Sequence, residues 1–377
     1  MNSERPNRLA GSLHQGLAER LLCMHDEIKG YGELAGLSRI AVALYDERTD
    51  IVKTFIHSSD GESPLDHSTG KLADLPSLRE LAWTGARRII NDLDAVAGTG
   101  QEHAVRLSAC GYLSSYTVPI RTKGTFYGFL FLNSFSKDFF TPGVVHALRP
   151  HVELIAQVVM RELDMVRMMQ AAVKVIRQVS TVRDEETGAH LARMARYARL
   201  IALKMAGRRD LSDELVEYLF QFAPLHDVGK IAVPDQILFK PGRLTTEEFE
   251  VMKGHVAKGM EIVDMMAYDF GMQSMTHFQL LRNVIAYHHE ALDGSGYPHG
   301  LAGDAIPLEA RIAAVADVFD ALTSERPYKK AWSNREAMDL LLDQAGAKFD
   351  PECVFALVAS EAEILEIQAQ FDQTVFD

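Results

Sequence analysis

Hydrophobic positions in the first 150 residues follow helical spacing only briefly and then alternate as they do in strands. Leucines recur near helical spacing from Leu9 to Leu22, which predicts an N-terminal helix ending near residue 30. A short helix at 76–83 and a hairpin turn at Lys123-Gly124 are also predicted. Short apolar runs bounded by turns predict strands at 40–45, 51–56, 87–90, 115–121 and 125–133. Residues 1–150 are therefore expected to form an α+β domain, an antiparallel sheet flanked by helices.

A long helix is expected next, because neither Gly nor Pro interrupts residues 151–185. When this segment is written as heptads, two positions of each heptad are apolar and form a seam, and Glu162 is the one polar residue at these positions. The seam residues are Val152, Val159, Val166 and Val173 at one position, and Ile155, Glu162, Met169 and Ile176 at the other. We interpret the segment as a helical linker that pairs in a parallel homodimer. A helix packed against its own domain explains the same pattern, and both alternatives stay open here.

From residue 186 onward the apolar spacing is helical almost throughout. Thr245 and Glu248 match a capping box, and Asp350-Pro351 matches the first two positions of a late helix. We therefore predict an all-α bundle over residues 186–377, joined through the linker at 151–185 to the domain of residues 1–150.

Composition limits the class of protein. With 47% hydrophobic and 24% charged residues the chain is ordinary globular material, and no apolar run approaches the roughly 18 residues of a membrane span. No apolar segment follows the polar N-terminus, so we expect no secretory signal. Cys23, Cys110 and Cys353 are far apart and odd in number, which predicts a cytoplasmic protein. A net charge of −13 argues against a nucleic-acid polymer as partner, whereas metal ions can attract a small anion.

Histidines and carboxylates are concentrated in the second half. His288 and His289 close an apolar helical run, and because helical neighbours point about 100° apart, we expect them to serve two adjacent ions, one each. Asp317 is a carboxylate in a small apolar helix, which is costly unless it is paired or bound to metal. Asp320, one turn on, is a candidate to orient a ligand. Facing helices of bundles build di-metal sites from such residues, and the candidates are Glu186, His190, His226, Asp227, His255, His288, His289 and Asp317.

Two motifs carry a family resemblance. His226-Asp-Val-Gly-Lys230 and His288-His-Glu-Ala-Leu-Asp-Gly-Ser-Gly-Tyr-Pro298 resemble the HD-GYP subgroup of the HD phosphohydrolase superfamily, over about residues 165–365. The resemblance implies hydrolysis of cyclic di-GMP, a bacterial second messenger, to pGpG, with GMP as a further product. It also implies two or three divalent metal ions, commonly iron or manganese. Family members with three metals carry a Glu where Glu186 stands, so the resemblance favours three.

Phosphodiester cleavage needs charge neutralisation and a hydroxide at neutral pH, which two adjacent ions provide. Asp227 can bridge two ions through its two oxygens, and Lys230 follows closely enough to contact the scissile phosphate. Arg326 and Lys329 are expected to bind the other phosphate, while Tyr297 either stacks on a base or packs internally. By resemblance, the loop of residues 294–298 borders the substrate cleft and docks diguanylate cyclase domains.

The first half resembles a GAF domain over roughly residues 15–160. The resemblance rests on Leu81-Ala-Trp-Thr-Gly85 leading to Ile89-Ile-Asn-Asp92, on Val118-Pro119-Ile120, and on Gly128-Phe-Leu-Phe-Leu-Asn133. It implies a sensory or dimerising module. No residue stands out as a cofactor ligand, since Cys110, His57 and His67 suit ordinary loop or core positions.

Three functions are weighed. The first is a metal-dependent cyclic di-GMP phosphodiesterase regulated by the GAF-like domain. The second is a phosphodiesterase for 3′3′-cyclic GMP-AMP, and the third is a weakly active adaptor that binds the messenger or a cyclase. The full set of candidate ligands favours an enzyme over the adaptor.

Overall fold

The structure is a computed structural model that describes residues 16–61, 65–97, 102–122, 124–179, 188–272, 277–325 and 330–372. The chain divides into two units, Met1–Asp164 and Met165–Asp377.

The first unit is built on one six-stranded antiparallel sheet in the order β3-β2-β1-β6-β5-β4. The strands are β1 (Arg39–Asp46), β2 (Ile51–Ser59), β3 (Thr69–Lys71), β4 (Arg88–Ile90), β5 (Ser114–Thr122) and β6 (Thr125–Ser134). The helices are α1 (Leu17–Lys29), α2 (Pro76–Thr84), α3 (Leu93–Ala97) and α4 (Glu102–Ala109). This confirms the predicted α+β class with an antiparallel sheet.

The sheet is buried on both faces at its centre. Residues of β1 from Arg39 to Leu44 are all buried, so alternate side chains face opposite layers. On one face Ala41, Ala43 and Phe131 pack with Leu78 and Leu81 of α2 in one apolar cluster. The pairing of β1 with β6 closes this core, because it joins the first strand to the last.

Helix α5 (Pro142–Val179) contains the predicted linker. Its predicted seam residues Val152, Ile155, Val159, Val166, Met169 and Val173 are each 4% exposed or less within the single chain. Burial within the single chain favours the packed-helix alternative at these positions, and the pairing of the linker in a homodimer stays a prediction. Leu154, Met168 and Val175 are instead 52–54% exposed on the same helix.

Helices make up the second unit. They are α6 (Gly188–Arg209), α7 (Asp213–Phe222), α8 (Asp235–Leu238), α9 (Thr246–Lys253), α10 (His255–Phe270), α11 (Phe278–Tyr287), α12 (Leu308–Thr323), α13 (Asn334–Asp343), α14 (Pro351–Val358) and α15 (Glu361–Asp372). Its described residues form no β-strand, only isolated bridges, which confirms the predicted all-α class. The capping box of Thr245 and Glu248 is present at the start of α9, and Asp350 caps α14 as predicted.

Helix α6 lies at the centre of this bundle and packs against α7, α12 and α14. Small residues permit the close approach: Ala195, Ala198 and Ala202 of α6 are buried, as are Ala313 and Ala316 of α12. Among the helices described, none combines the length and apolar character needed to cross a bilayer.

Candidate metal centre

The candidate ligands converge because each stands at a helix end or on an inward face of the bundle. His190 belongs to α6 and Asp317 to α12, whereas His255 is the first residue of α10. His226 and Asp227 follow the short 3-10 turn Ala223–Leu225 after α7, and His288 and His289 directly follow α11. Their ligand atoms form two groups, each within 4.8 Å: Asp227, His255, His288 and His289 in one, and His190, His226 and Asp317 in the other.

Backbone carbonyls orient three of the histidine rings. Nδ1 of His226 donates to the Ala223 carbonyl at 2.9 Å, and Nδ1 of His255 donates to that of Met252 at 2.7 Å. Nδ1 of His288 donates to the Val284 carbonyl at 3.0 Å. Because a carbonyl can only accept, Nδ1 carries the proton and each ring presents the Nε2 lone pair to the cluster.

Asp227 lies between the two groups with its carboxylate oxygens facing different histidines. Its Oδ1 is 3.0 Å from His255 Nε2 and 3.6 Å from His288 Nε2. Its Oδ2 is 3.1 Å from His226 Nε2 and 2.6 Å from the Lys230 ammonium. Burial alone would raise the pKa of Asp227, but Lys230 and His226 outweigh it and hold that pKa well below the usual value. The Asp227 side chain is therefore an ionised carboxylate, which is the form that binds metal.

The second group is braced by Asp320, which is fully buried. His190 Nδ1 donates to Asp320 Oδ2 at 2.6 Å, which directs His190 Nε2 toward Asp317 Oδ1 at 3.7 Å. Arg193 makes a two-pronged contact with the same carboxylate, through Nε to Oδ1 at 2.7 Å and Nη2 to Oδ2 at 3.0 Å. Burial would raise the pKa of Asp320, but hydrogen bonds from His190 and Arg193 lower it overall. The orienting role predicted for Asp320 fits this geometry.

The chemistry of these donors fits divalent metal ions. Asp227 Oδ1, His255 Nε2 and His288 Nε2 are buried and have no hydrogen-bond partner among the described residues. Such atoms are costly in a protein interior unless something binds them. An ion held by N and O donors at about 2.0–2.2 Å keeps neighbouring donors roughly 3 Å apart. The 3.0 and 3.1 Å separations around Asp227 match that spacing.

His288 and His289, expected to serve two adjacent ions, lie in the same group of ligand atoms. Their ring centroids lie 4.0 Å apart, and both rings belong to the group of Asp227 and His255. α11 ends at Tyr287, so both histidines lie at its C-terminal end, and the expectation that each serves a separate ion stays a prediction. Burial lowers the pKa of both histidines, which favours the neutral ring that a metal requires.

The loop after the histidines is fixed by one carboxylate and one glycine. Glu290 is 6% exposed and accepts hydrogen bonds from the backbone N–H of His299 at 2.7 Å and of Leu301 at 3.0 Å. Gly296 lies so close to the start of this loop that a Cβ there would be 2.3 Å from the Ala291 nitrogen. The loop therefore folds back onto the residues that follow the histidine pair.

Tyr297 packs against the metal centre. Its ring stacks on His289 with centroids 4.6 Å apart and planes 29° apart, and Phe249 meets it edge-on. Burial raises the pKa of Tyr297, so its hydroxyl stays protonated. Of the two roles predicted for Tyr297, internal packing is the one that this contact supports.

Glu186, Arg326 and Lys329 lie outside the described residues. Sequence reasoning missed Arg193 and Glu290, which brace the site without belonging to a ligand pattern. Arg193 stands three residues after His190 on the same helix, a spacing that marks a shared face. Glu290 adjoins the histidine pair directly.

The match to a family model defines the class of the second half. Residues 182–353 match the family described as HD domain. HD domains are a metal-dependent family, in agreement with the His/Asp cluster, and the match confirms the predicted resemblance to the HD superfamily.

Two relatives of this chain have names that state a substrate. The chain is 49% identical over 190 residues to the cyclic di-GMP phosphodiesterase response regulator RpfG of Xanthomonas campestris pv. campestris, covering 50% of this chain and 47% of that protein. It is 40% identical over 187 residues to the 3′3′-cGAMP-specific phosphodiesterase 2 of Vibrio cholerae, covering 50% of this chain and 34% of that protein. The chain spans about half the length, or less, of these curated relatives.

Two solved structures match parts of the chain. The phycocyanobilin-bound GAF domain of a cyanobacterial phytochrome is 19% identical with a TM-score of 0.31, covering 41% of this chain and 88% of that chain. An HD-GYP-type protein of Bdellovibrio bacteriovorus is 18% identical with a TM-score of 0.36, covering 53% of this chain and 60% of that chain.

Proposed function

We propose that the protein is a metal-dependent phosphodiesterase that hydrolyses cyclic di-GMP to pGpG, with GMP as a further product. The observation that carries this proposal is the position of Asp227, whose two oxygens face histidines of two adjacent ligand groups. One carboxylate between two such groups can be shared by a pair of neighbouring ions, the arrangement of a two-metal site.

The proposed ligands are those of the two groups. Asp227, His255, His288 and His289 would hold one divalent ion, and His190, His226 and Asp317 would hold another, with Asp227 shared. Glu186 is proposed to serve a third ion, a role that rests on the family resemblance. Iron or manganese is proposed because imidazole and carboxylate donors suit these metals. When bound, the ions supply positive charge for the phosphate and lower the pKa of water.

Lys230 is proposed to act on the phosphate itself. Its ammonium lies 2.6 Å from Asp227 Oδ2, and its side chain is 20% exposed, so it stands at the border of the buried cluster. A cation at that border can bind a phosphate oxygen as negative charge develops on it. In the hydrolysis, the oxygen of water adds to phosphorus, the bond from phosphorus to the ribose 3′ oxygen breaks, and that oxygen takes up a proton.

The remaining substrate contacts are proposed from the sequence. Arg326 and Lys329 would bind the second phosphate of the cyclic dinucleotide. Tyr297 would form part of the pocket wall, because its ring stacks on His289 and is not free to reach a base.

Assaying the purified chain with cyclic di-GMP tests the proposal. We expect wild-type protein loaded with manganese or iron to release pGpG, and Asp227→Asn to lose turnover and metal together. Asp339→Asn on the exposed side of α13 serves as control and should retain both. Tight binding of cyclic di-GMP by metal-loaded wild-type protein without any product would contradict an enzyme and favour the adaptor.

A second substrate is supported by one comparison. The 40% identity to a 3′3′-cGAMP-specific phosphodiesterase makes 3′3′-cyclic GMP-AMP the alternative substrate. Supplying both cyclic dinucleotides in one reaction measures the ratio of their kcat/KM values directly. A ratio in favour of cyclic GMP-AMP would replace the first proposal by the second.

The first unit is proposed to be a GAF-like sensory domain that sets the rate of hydrolysis in a homodimer. The support is the antiparallel α+β fold together with the GAF-like sequence motifs. A diguanylate cyclase domain is proposed as a partner at the loop of residues 294–298. A cytoplasmic setting is proposed because Cys23, Cys110 and Cys353 are all free thiols.

A further inference from the structure

The first unit contains a cavity of about 150 Å³ beside its sheet. Strands β1, β2 and β6 contribute to its lining, and residues 65–78 contribute the rest of its apolar wall. Most of the wall is apolar, from Ala43, Val52, Leu65, Leu75, Leu78 and Phe131. A cavity of this size accommodates a benzene-sized group.

A buried arginine lines this otherwise apolar space. Arg39 is 1% exposed, and its Nη1 donates to Asn133 Oδ1 at 3.1 Å. Asn133 Nδ2 in turn donates to Ser115 Oγ at 3.0 Å. The three residues stand opposite one another on β1, β6 and β5, so a buried row of polar side chains holds the guanidinium in place.

This guanidinium lacks the counter-charge that its burial demands. Within the described part of the chain, Arg39 Nε has no hydrogen-bond partner, and no carboxylate forms an ion pair with Arg39. Asp66 acts on it electrostatically, but Asp66 Oδ1 already lies 3.0 Å from His57 Nε2. Burial lowers the pKa of Arg39, which reflects the cost of desolvating its charge. A bound anion would offset that cost.

The cavity is cationic at more than one point. Arg106 of α4 contributes to the lining together with Arg39. The combination of a positively charged side with apolar walls selects for a ligand that is anionic at one end and apolar at the other.

We infer that this cavity binds a small organic carboxylate with an aromatic or branched apolar body. The two carboxylate oxygens of the ligand accept hydrogen bonds from Nε–H and Nη2–H of Arg39. These two donors lie side by side on the guanidinium, so that they can bind both oxygens of one carboxylate. The body of the ligand fills the space between Val52, Leu78 and Phe131. This assignment is independent of the chemistry proposed for the metal centre.

Calorimetric titration of the full chain with benzoate, phenylacetate and isovalerate tests the inference. We expect at least one to bind, and benzamide, the neutral counterpart of benzoate, to bind roughly tenfold more weakly or worse because it lacks the charge. Inorganic phosphate is the competing anion. Failure of all three carboxylates to bind at millimolar concentration would overturn the inference, as would equal binding of benzamide or preferential binding of phosphate.

Variants locate the binding. Arg39→Gln removes the charge, and Ala43→Leu fills the cavity while keeping Arg39, so each should abolish binding of the carboxylate. Arg88→Gln is the matched control, because Arg88 is a partly buried arginine of β4 in the same sheet and does not belong to the cavity lining. Circular dichroism confirms that each variant is folded. Unchanged binding in folded Arg39→Gln or Ala43→Leu would contradict this location.

Discussion

At the scale of single residues, the metal centre depends on which nitrogen of each histidine carries a proton. Backbone carbonyls near His226, His255 and His288 accept a hydrogen bond from Nδ1–H, and Asp320 accepts one from Nδ1–H of His190. The remaining lone pairs all point inward. Ligand geometry is therefore established before any ion binds, which reduces the cost of organising the site.

Asp320→Asn tests this orienting contact. The amide keeps the size of the carboxylate but loses the charge that binds Arg193 and His190, so we expect metal affinity to fall about 10–100-fold. Competition with a metal-binding dye measures the change, and Asp339→Asn is again the control. Equal affinities in the two variants would show that Asp320 does not orient His190 for metal binding.

The candidate residues could be predicted from sequence because their chemistry is unusual for their positions. Asp317 in an apolar helix and the His288-His289 pair were conspicuous for that reason. Their division into groups could not be predicted, because it depends on how α10, α11 and the segment of Asp227 pack together. The role of Arg193 depends on α12 lying beside α6, which no local pattern specifies.

At the scale of elements, the short 3-10 turn Val228–Ala232 brings Asp227 and Lys230 against α10. A side chain at Gly229 would place its Cβ 1.9 Å from the His255 carbonyl oxygen and 2.4 Å from the Gly259 nitrogen. The absence of a side chain therefore allows Asp227 to lie beside His255.

Gly229→Ala is expected to lower the free energy of unfolding by about 1–3 kcal/mol, as overpacked substitutions do, and to lower metal binding as well. Gly207→Ala in α6 is the matched control, since nothing lies within 4 Å of a Cβ there. We expect it to be neutral or to stabilise by about 0.5–1 kcal/mol through helix propensity. Denaturant titration measures both, and equal stabilities would contradict the close packing.

Elements with strong periodicity were predictable, and elements without it were not. The alternation in β1, β2, β5 and β6 predicted those strands, and the β5–β6 hairpin followed from its short turn. β3 was missed, because Thr69-Gly70-Lys71 has no apolar alternation and is a strand only through pairing with β2. The order of the strands could not be predicted, because it depends on the pairing of β1 with β6, a contact between residues about 90 positions apart.

At the scale of the whole molecule, the proposed homodimer needs a surface that the single chain leaves exposed. The valines of the predicted seam on α5 are buried, but Leu154, Met168 and Val175 are exposed at multiples of seven residues. Positions at this spacing form one stripe along a helix that meets a second helix. We therefore expect this stripe to provide the contact between two copies.

Replacing Met168 and Val175 together by Glu should convert a dimer to a monomer in sedimentation experiments, because like charges would face each other in a dry contact. Leu365→Glu on α15 is the control, since Leu365 is equally exposed, at 54%, but lies on another helix. If the control dissociates as readily, or the double variant stays dimeric, this stripe is not the interface.

The central claim is that imidazoles and carboxylates from several helices bind adjacent cations around Asp227. Metal analysis of the full chain, purified without oxygen and loaded with manganese or iron, tests it most directly. We predict about two or three ions per chain, falling below one in folded Asp227→Asn because both groups lose a shared ligand. A folded wild-type chain that retains less than one ion, or an Asp227→Asn variant that retains the full complement, would contradict the claim.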